Sequence, residues 1–215
     1  MDYSPDIGLY HLDRARVSCR HQTPFCNRHC YMKKLYALQS PELFRAVQAR
    51  LERAWQEMTP ERFGSLLRRR KHPLQRFRFA SQGEMFSTPL DVAKVASIIE
   101  AFPGILFWAP TRAWRSPALR ALISGRVMTL PNARILASLD PSNTSEEFRG
   151  LVSDGWSTTF FGIDDVDSLQ QRLFYGWASG GYHCPKTWQK RKGSCAVCMG
   201  GCFSRDQVHV YLKRH

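Results

Sequence analysis

The sequence contains no long hydrophobic run. Its longest apolar stretch, Phe102 to Pro110, is too short to cross a bilayer, because a membrane-spanning helix needs about 20 apolar residues. The first residues, Met1 to Asp6, have neither the basic start nor the apolar core of a secretory signal. We therefore expect a cytoplasmic protein that has no membrane partner.

Acidic residues are scarce relative to basic ones. The chain has 18 aspartates and glutamates against 31 lysines and arginines, which gives a formal net charge of +13. It also lacks a His-x-x-x-His or paired-carboxylate motif, so a hydrolase or nuclease built on such a metal site has little support. The positive excess favours DNA, RNA or another polyanion as a partner, although many basic proteins bind none.

Cysteine is absent from about 150 residues in the middle of the chain, between Cys30 and Cys184. The seven cysteines lie in two groups on either side of this stretch. The N-terminal group comprises Cys19, Cys26 and Cys30, and the C-terminal group comprises Cys184, Cys195, Cys198 and Cys202. Because the number is odd and no export signal precedes it, this pattern favours metal ligation over a disulfide framework.

Each cysteine group suits more than one metal. Three thiolates can bind a 4Fe–4S cluster and leave its fourth iron open to a substrate. They can also bind zinc, with His21 or His29 as the fourth ligand. The four C-terminal thiolates suit tetrahedral zinc and a second, closed 4Fe–4S cluster about equally. Free structural thiols are a third interpretation, which the density of the cysteines disfavours.

The central stretch has four helix starts of one kind. In each, a serine or threonine that can cap the helix precedes a proline, which suits the first helical position. These pairs are Ser40-Pro41, Thr59-Pro60, Thr88-Pro89 and Ser116-Pro117. Apolar residues follow at helical spacing, and Gly104 and Gly125 stand where helices are expected to end.

Short β-branched or aromatic runs separate these helices. They span Arg76 to Ala80, Ile105 to Ala109, Arg134 to Leu139 and Thr158 to Gly162. With a first strand that ends at Cys19, the alternation predicts an α/β fold, a partial (β/α)5–6 barrel with mainly parallel strands. We place the barrel in residues 1–180 and a C-terminal cysteine-rich metal-binding extension in residues 181–215.

Small, polar and charged residues directly follow the predicted strands. They are Cys19, Ser81 to Glu84, Pro110 to Arg112, and Asp140 to Ser142. Ligands bind open parallel sheets beyond the carboxyl ends of the strands, so we expect a site where these segments meet. Each segment taken alone also fits an ordinary loop.

Two segments resemble the motifs of radical S-adenosylmethionine (SAM) enzymes. A three-cysteine loop after the first strand, closed by the aromatic Tyr31, resembles their cluster loop. The segment Phe77 to Glu84 resembles their second strand with its Gly-Gly-Glu-type end. The usual loop spacing is Cys-x3-Cys-x2-Cys, whereas this chain has Cys-x6-Cys-x3-Cys.

More closely, and over most of its length, the chain resembles the gene product 88 family of phage and plasmid proteins. The shared features are a Cys-Tyr pair, a strand with a polar Gly-Asp or Gly-Glu end, a Trp-Ala-Pro-Thr-Arg-like strand, a Ser-Leu-Asp segment and a Tyr-x-x-x-His-like tail. In this chain they read Cys30-Tyr31, Gly83-Glu84, Trp108 to Arg112, Ser138 to Asp140, and Tyr211 to His215.

The resemblance to radical SAM enzymes implies cofactors and residue roles. The N-terminal cysteines would bind a 4Fe–4S cluster whose open iron chelates SAM, and a reductant such as flavodoxin or ferredoxin would supply the electron that cleaves it. Glu84 would accept a hydrogen bond from the methionine ammonium group. The implied cofactor-binding residues are Tyr31, Ser81, Gly83, Glu84, Thr111, Ser138 and Asp140. For Ser81 and Ser138, a purely structural role at a strand end is at least as well supported.

Two functions remain as expectations. The first is a radical SAM-type iron–sulfur enzyme that modifies a nucleic acid or another anionic substrate. The alternative is a non-enzymatic, zinc-containing protein that binds nucleic acid through its basic surface. Exposed rings such as Trp114 or Trp188 could stack on a base, although large rings more often belong to the core.

Overall fold

The computed structural model describes residues 1–5, 8–70, 74–163, 182–184, 187, 195, 198, 201–204 and 206–213. Its strands are β1 (Asp2–Ser4), β2 (Leu9–Leu12), β3 (Arg76–Phe79), β4 (Leu106–Thr111), β5 (Ala133–Leu139), β6 (Ser157–Ile163), β7 (Tyr182–His183) and β8 (His209–Lys213). Its α-helices are α1 (Pro24–Arg28), α2 (Tyr31–Tyr36), α3 (Pro41–Gln56), α4 (Pro60–Arg68), α5 (Pro89–Ala101), α6 (Pro117–Leu122) and α7 (Ser145–Ser153). None of the described helices has both the length and the apolar character to span a bilayer.

The described strands form one eight-stranded sheet in the order β1-β2-β3-β4-β5-β6-β8-β7. Strand β1 is antiparallel to β2, and the remaining neighbours pair in parallel. The mixed α/β fold with mainly parallel strands is therefore confirmed. Strands β7 and β8 belong to residues 181–215, so part of the predicted C-terminal extension pairs with the same sheet.

Three of the four predicted helix starts are capped as expected. The side chains of Ser40, Thr59 and Thr88 accept hydrogen bonds from backbone amides of the first turn of α3, α4 and α5. Ser116 precedes α6 without such a bond. Local sequence is sufficient for these helix starts, because a cap and its partner lie within one turn.

Two local expectations were wrong. The strand predicted to come first is β2, which ends at Leu12 and not at Cys19, because the following residues bond to the loop after β3, as in the bond from the Arg14 amide to the Gln82 carbonyl. Gly125 does not end a helix but lies in a π-helical turn, Ile123–Val127, whose first and last side chains are buried. Tyr211, the first residue of the Tyr211 to His215 segment, lies in strand β8 and is fully buried; residues 214 and 215 lie outside the described residues.

The two faces of the sheet have different coverings. Alternate side chains such as Phe77, Phe107 and Ile135 point to one face and join the large core formed with helices α3 to α7. On the opposite face a smaller cluster, which includes Trp108 and Leu136, packs against C-terminal cysteines. The helices from α3 to α7 thus cover one face and leave the other to the cysteine segments.

A tight loop joins β3 to the segment that follows β2. Gly83 has a φ of +78°, and a Cβ built there would lie 2.6 Å from the backbone oxygen of Arg14. Gly155 has a similar φ of +80°, but a Cβ there would meet no atom within 4 Å. A side chain at either glycine would strain the backbone, but only at Gly83 would it also collide with neighbouring atoms.

We expect Gly83→Ala to destabilise the protein more than Gly155→Ala. Gly155→Ala should lower the free energy of unfolding by about 1–2 kcal/mol, the cost of a left-handed conformation for alanine. Gly83→Ala should lose about 1–3 kcal/mol more, because the added methyl group collides with backbone. Urea denaturation of both variants measures the difference, and equal losses would show that the loop at Gly83 relaxes freely.

Candidate functional site

A cavity of about 220 Å³ lies at the carboxyl ends of the parallel strands, on the face opposite helices α3 to α7. Most of the site residues expected from the sequence line it, namely Cys19, Cys26, Cys30, Ser81, Gly83, Glu84, Thr111 and Ser138. Tyr31 begins α2, but its side chain lies outside the described part of the chain. Residues from distant parts of the sequence thus meet around one cavity.

The three N-terminal cysteines reach the cavity from short helical segments. Cys19 follows a 3-10 turn at Arg16–Ser18, Cys26 lies in α1, and Cys30 immediately precedes α2. The Thr23 hydroxyl accepts a hydrogen bond of 2.9 Å from the Cys26 amide and so caps α1. All three thiols are free and half-buried.

Burial and neighbouring charges oppose ionisation of the Cys19 and Cys26 thiols. Burial, together with the charges of Glu84, Cys26 and Cys30, raises the pKa of Cys19 to about 12. Burial also raises the pKa of Cys26, although the Arg112 guanidinium acts against this. A bound cation would reverse the effect, because thiolates are the form that ligates metals.

The donor set fits a thiolate-bound metal or cluster in its chemistry. Three cysteine sulfurs line one cavity, which is the ligand count of a 4Fe–4S cluster with one open iron. Within the described residues, however, no group of three or more His, Cys, Asp or Glu side chains is already arranged to hold a metal ion. Binding would therefore require the cysteine segments to draw together.

Glu84 joins the ends of strands β3 and β4. Its carboxylate accepts hydrogen bonds from the Phe86 amide (3.0 Å), the Thr111 hydroxyl (2.9 Å) and the Arg112 amide (2.8 Å). Burial raises the pKa of Glu84 even though these bonds oppose the shift. Because a carboxylate has about four acceptor positions, three protein donors leave room for one further hydrogen bond.

Asp140 is a buried carboxylate whose partners are all protein groups of the site. It is 1% exposed and forms an ion pair of 2.9 Å with Arg112. It also accepts hydrogen bonds from the Thr23 hydroxyl and from the Ser142 amide at 2.9 Å. Asp140 therefore holds α1 and Arg112 in place beside Cys26. Arg112 lies at the edge predicted from the sequence, where no role was expected for it.

Asp13, which was not predicted from the sequence, positions two cavity-lining residues, Ser81 and Gln82. Its carboxylate accepts hydrogen bonds from the Ser81 amide (2.7 Å), the Ser81 hydroxyl (2.8 Å) and the Gln82 amide (3.1 Å). Burial would raise the pKa of Asp13, but the hydrogen bond and charge of His11 and the bonds from Ser81 and Gln82 lower it. An aspartate directly after a strand was the available signal, and the misplaced end of the first strand concealed it.

Arg14 was missed as well, because its partners are far away in sequence. The buried guanidinium pairs with Glu52 of α3 at 2.8 Å and with Asp91 of α5 at 2.9 Å. It also lies 5.1 Å from the ring centre of Trp55. These contacts attach the segment that leads to Cys19 to two helices of the main core.

The C-terminal cysteines lie on the sheet face opposite the helices. Burial and the charges of Cys184, Cys195 and Cys198 raise the pKa of Cys202 well above its ordinary value, whereas Arg78 lowers it. These thiols therefore lie close enough to influence one another. In addition, Arg76 of β3 donates hydrogen bonds to the backbone oxygens of Cys195 and Cys198.

The expected role of Trp114 in stacking on a base is not compatible with its position. Its ring is 4% exposed, and its indole nitrogen donates a hydrogen bond of 3.1 Å to the Ser138 carbonyl. The indole therefore belongs to the core, which was the alternative interpretation. Trp188 lies outside the described residues.

We expect Asp140→Asn to destabilise the protein strongly. The substitution leaves the Arg112 guanidinium buried without its counter-charge, which should lower the free energy of unfolding by about 3–5 kcal/mol. Asp154→Asn is the matched control, because Asp154 pairs with Arg120 on the surface, where such pairs contribute at most about 1 kcal/mol. Urea denaturation measures both, and similar losses would contradict the assigned role of Asp140.

Comparison with known proteins identifies the family of this chain. The gene product 88 family matches residues 7–198, which is most of the chain. No curated protein and no solved structure matches. The chain therefore belongs to the gene product 88 family.

Proposed function

We propose that this protein is a radical SAM-type iron–sulfur enzyme that modifies a nucleic acid or another anionic substrate. The observation that carries the proposal is the position of Cys19, Cys26 and Cys30 around one cavity at the carboxyl ends of parallel strands. Three thiols there suit a cluster with an open iron, whereas a purely structural metal favours four protein ligands.

We also propose that the sheet curves into a partial (β/α)5–6 barrel. In support, helices α3 to α7 cover one face of the sheet. Helices on a single face are typical of barrels, whereas doubly wound sheets carry helices on both faces. The cavity and both cysteine groups would then lie on the inner side.

In this proposal Cys19, Cys26 and Cys30 hold a 4Fe–4S cluster, which when bound would supply the electron that cleaves SAM, drawn from a reductant such as flavodoxin or ferredoxin. The remaining acceptor position of Glu84 suits the ammonium group of methionine. Ser138 lines the cavity and could bond to the cofactor. Ser81 and Thr111, by contrast, already donate their hydroxyl hydrogens to Asp13 and Glu84, which favours a positioning role for both.

The C-terminal cysteines would hold a second 4Fe–4S cluster or a zinc ion. Arg76 supports this role, since it fixes the backbone at Cys195 and Cys198 to strand β3. Arg78 adds a positive charge near Cys202, which would offset part of the negative charge of four thiolates.

A zinc-containing nucleic-acid-binding protein without enzymatic activity is the second candidate. The net charge of +13 and the four C-terminal cysteines favour it. It provides no reason for three further cysteines around a cavity at the strand ends. Metal content separates the two functions, because a zinc module contains neither iron nor inorganic sulfide.

Metal content tests this proposal directly, through iron, acid-labile sulfide and zinc measured in protein purified without oxygen. We expect about eight irons per chain if both sites hold 4Fe–4S clusters, or about four irons and one zinc if the C-terminal site is a zinc site. The triple variant Cys19→Ser/Cys26→Ser/Cys30→Ser should lose about four irons and all SAM cleavage.

A matched control replaces the C-terminal cysteines by serine. This variant should keep about four irons bound at the N-terminal cysteines. If the wild-type protein contains zinc and no iron, even after anaerobic reconstitution, the enzyme proposal is wrong and the zinc module remains.

A separate prediction concerns the binding of nucleic acid. If DNA or RNA is the substrate, the affinity of the chain for a short oligonucleotide should fall at least about tenfold between 50 and 200 mM salt. Fluorescence anisotropy measures this dependence. Binding that is absent at low salt, or insensitive to salt, would remove nucleic acid from the proposed substrates.

A further inference from the structure

Arg78 and Trp108 form a cation–π pair on the face of the sheet that bears the cavity. They are register partners on the adjacent parallel strands β3 and β4. The central guanidinium carbon lies 4.6 Å from the ring centre of Trp108. Both residues line the same cavity as the N-terminal cysteines. A cation–π contact restrains the guanidinium through the ring and leaves its N–H groups to form hydrogen bonds.

Three buried polar atoms of the cavity-lining residues have no hydrogen-bond partner in the described structure. They are Arg78 Nε, Trp108 Nε1 and Thr159 Oγ1. Trp108 is 5% exposed and Thr159 is 1% exposed, so bulk water does not solvate these groups. Because buried donors without a partner are destabilising, their collection around one cavity indicates a ligand that bonds to them.

The charges around the cavity define the chemistry of this ligand. Arg112 is paired with Asp140, and Arg16 donates a hydrogen bond to the Asn27 side chain. Glu84 already accepts three hydrogen bonds from the protein. Among the described residues Arg78 forms no ion pair with a carboxylate, and its Nε has no hydrogen-bond partner. Its charged neighbour is the thiol of Cys202, whose pKa it lowers. An anionic group is therefore the ligand that this guanidinium lacks.

We propose that the Arg78–Trp108 pair, together with Thr159 of β6, binds one oxyanionic group, a phosphate or a carboxylate, of the molecule on which the site acts. The guanidinium edge can donate two parallel hydrogen bonds to such a group, and the indole N–H can donate a third. Apolar lining residues such as Pro110 and Phe161 would contact the uncharged remainder of the ligand. The identity of the ligand as a substrate rests on the proposed function, whereas the anion site does not.

The test is isothermal titration calorimetry of the full chain, purified without oxygen, with inorganic phosphate and separately with acetate. We expect saturable binding of at least one anion. Arg78→Met should weaken it roughly tenfold or more, because hydrogen bonds to a charged group are lost. Trp108→Phe keeps the ring but removes the N–H, and should weaken binding several-fold.

Two further variants serve as controls. Arg126→Met removes the same charge from an exposed position outside the cavity, and should change the affinity less than twofold. Arg78→Lys keeps the charge without the planar fork, and should weaken binding less than Arg78→Met does. This second variant retains the test if Arg78→Met fails to fold.

Two results would overturn the anion site. One is the absence of phosphate and acetate binding, or binding that Arg78→Met and Arg78→Lys leave unchanged. The other is loss of metal from the C-terminal cysteines in Arg78→Met with unchanged anion affinity, which would make Arg78 a counter-charge for thiolates.

Metal content measured on the same samples keeps the two proposals separate. Iron-free protein that binds phosphate through Arg78 would contradict the enzyme proposal and support the anion site. Iron-containing protein whose anion affinity does not depend on Arg78 would support the enzyme proposal and contradict the anion site.

Discussion

Buried carboxylates hold the carboxyl ends of the strands together, and the cavity depends on them. Asp13 binds the loop after β3, Glu84 joins the ends of β3 and β4, and Asp140 joins the end of β5 to α1 through Thr23. A buried carboxylate is stable only when donors surround it, so each one determines where the neighbouring backbone must lie. Loss of one such group would displace the cysteine segments that rest on this layer.

Because buried polar groups need hydrogen-bond partners, residues already bonded to the protein differ from residues that are available to bind a ligand. Ser81 and Asp140 are bonded to Asp13 and Arg112, so they position neighbouring residues of the site and do not themselves bind a ligand. Arg78 and Trp108 lie on the cavity face with donors that no described residue uses. Cys19, Cys26 and Cys30 belong to this second group, because they line the cavity as free thiols.

The sequence predicted the local elements well where one turn of chain contains the whole interaction. The cap of α3 joins Ser40 to Leu43, three positions away, and the sequence shows both residues. The end of the first strand was wrong because the Asp13 carboxylate bonds to Ser81, 68 positions further along the chain. Helix α7 has a capping box between Thr144 and Glu147, a local signal that was present and not used.

By itself the sequence determined the α/β alternation, the helix starts and the two cysteine groups, since each follows from neighbouring residues or from composition. It also predicted that the segments following the strands meet at the carboxyl edge of the sheet, because parallel strands place their carboxyl ends together. Only the tertiary structure decided which polar side chains face the cavity. That choice depends on buried pairs such as Arg112 with Asp140 and Arg78 with Trp108, whose members lie on different strands or on the loops that follow them. Such pairs form only when the sheet has assembled, because burial is what makes an unpaired charge or N–H group costly.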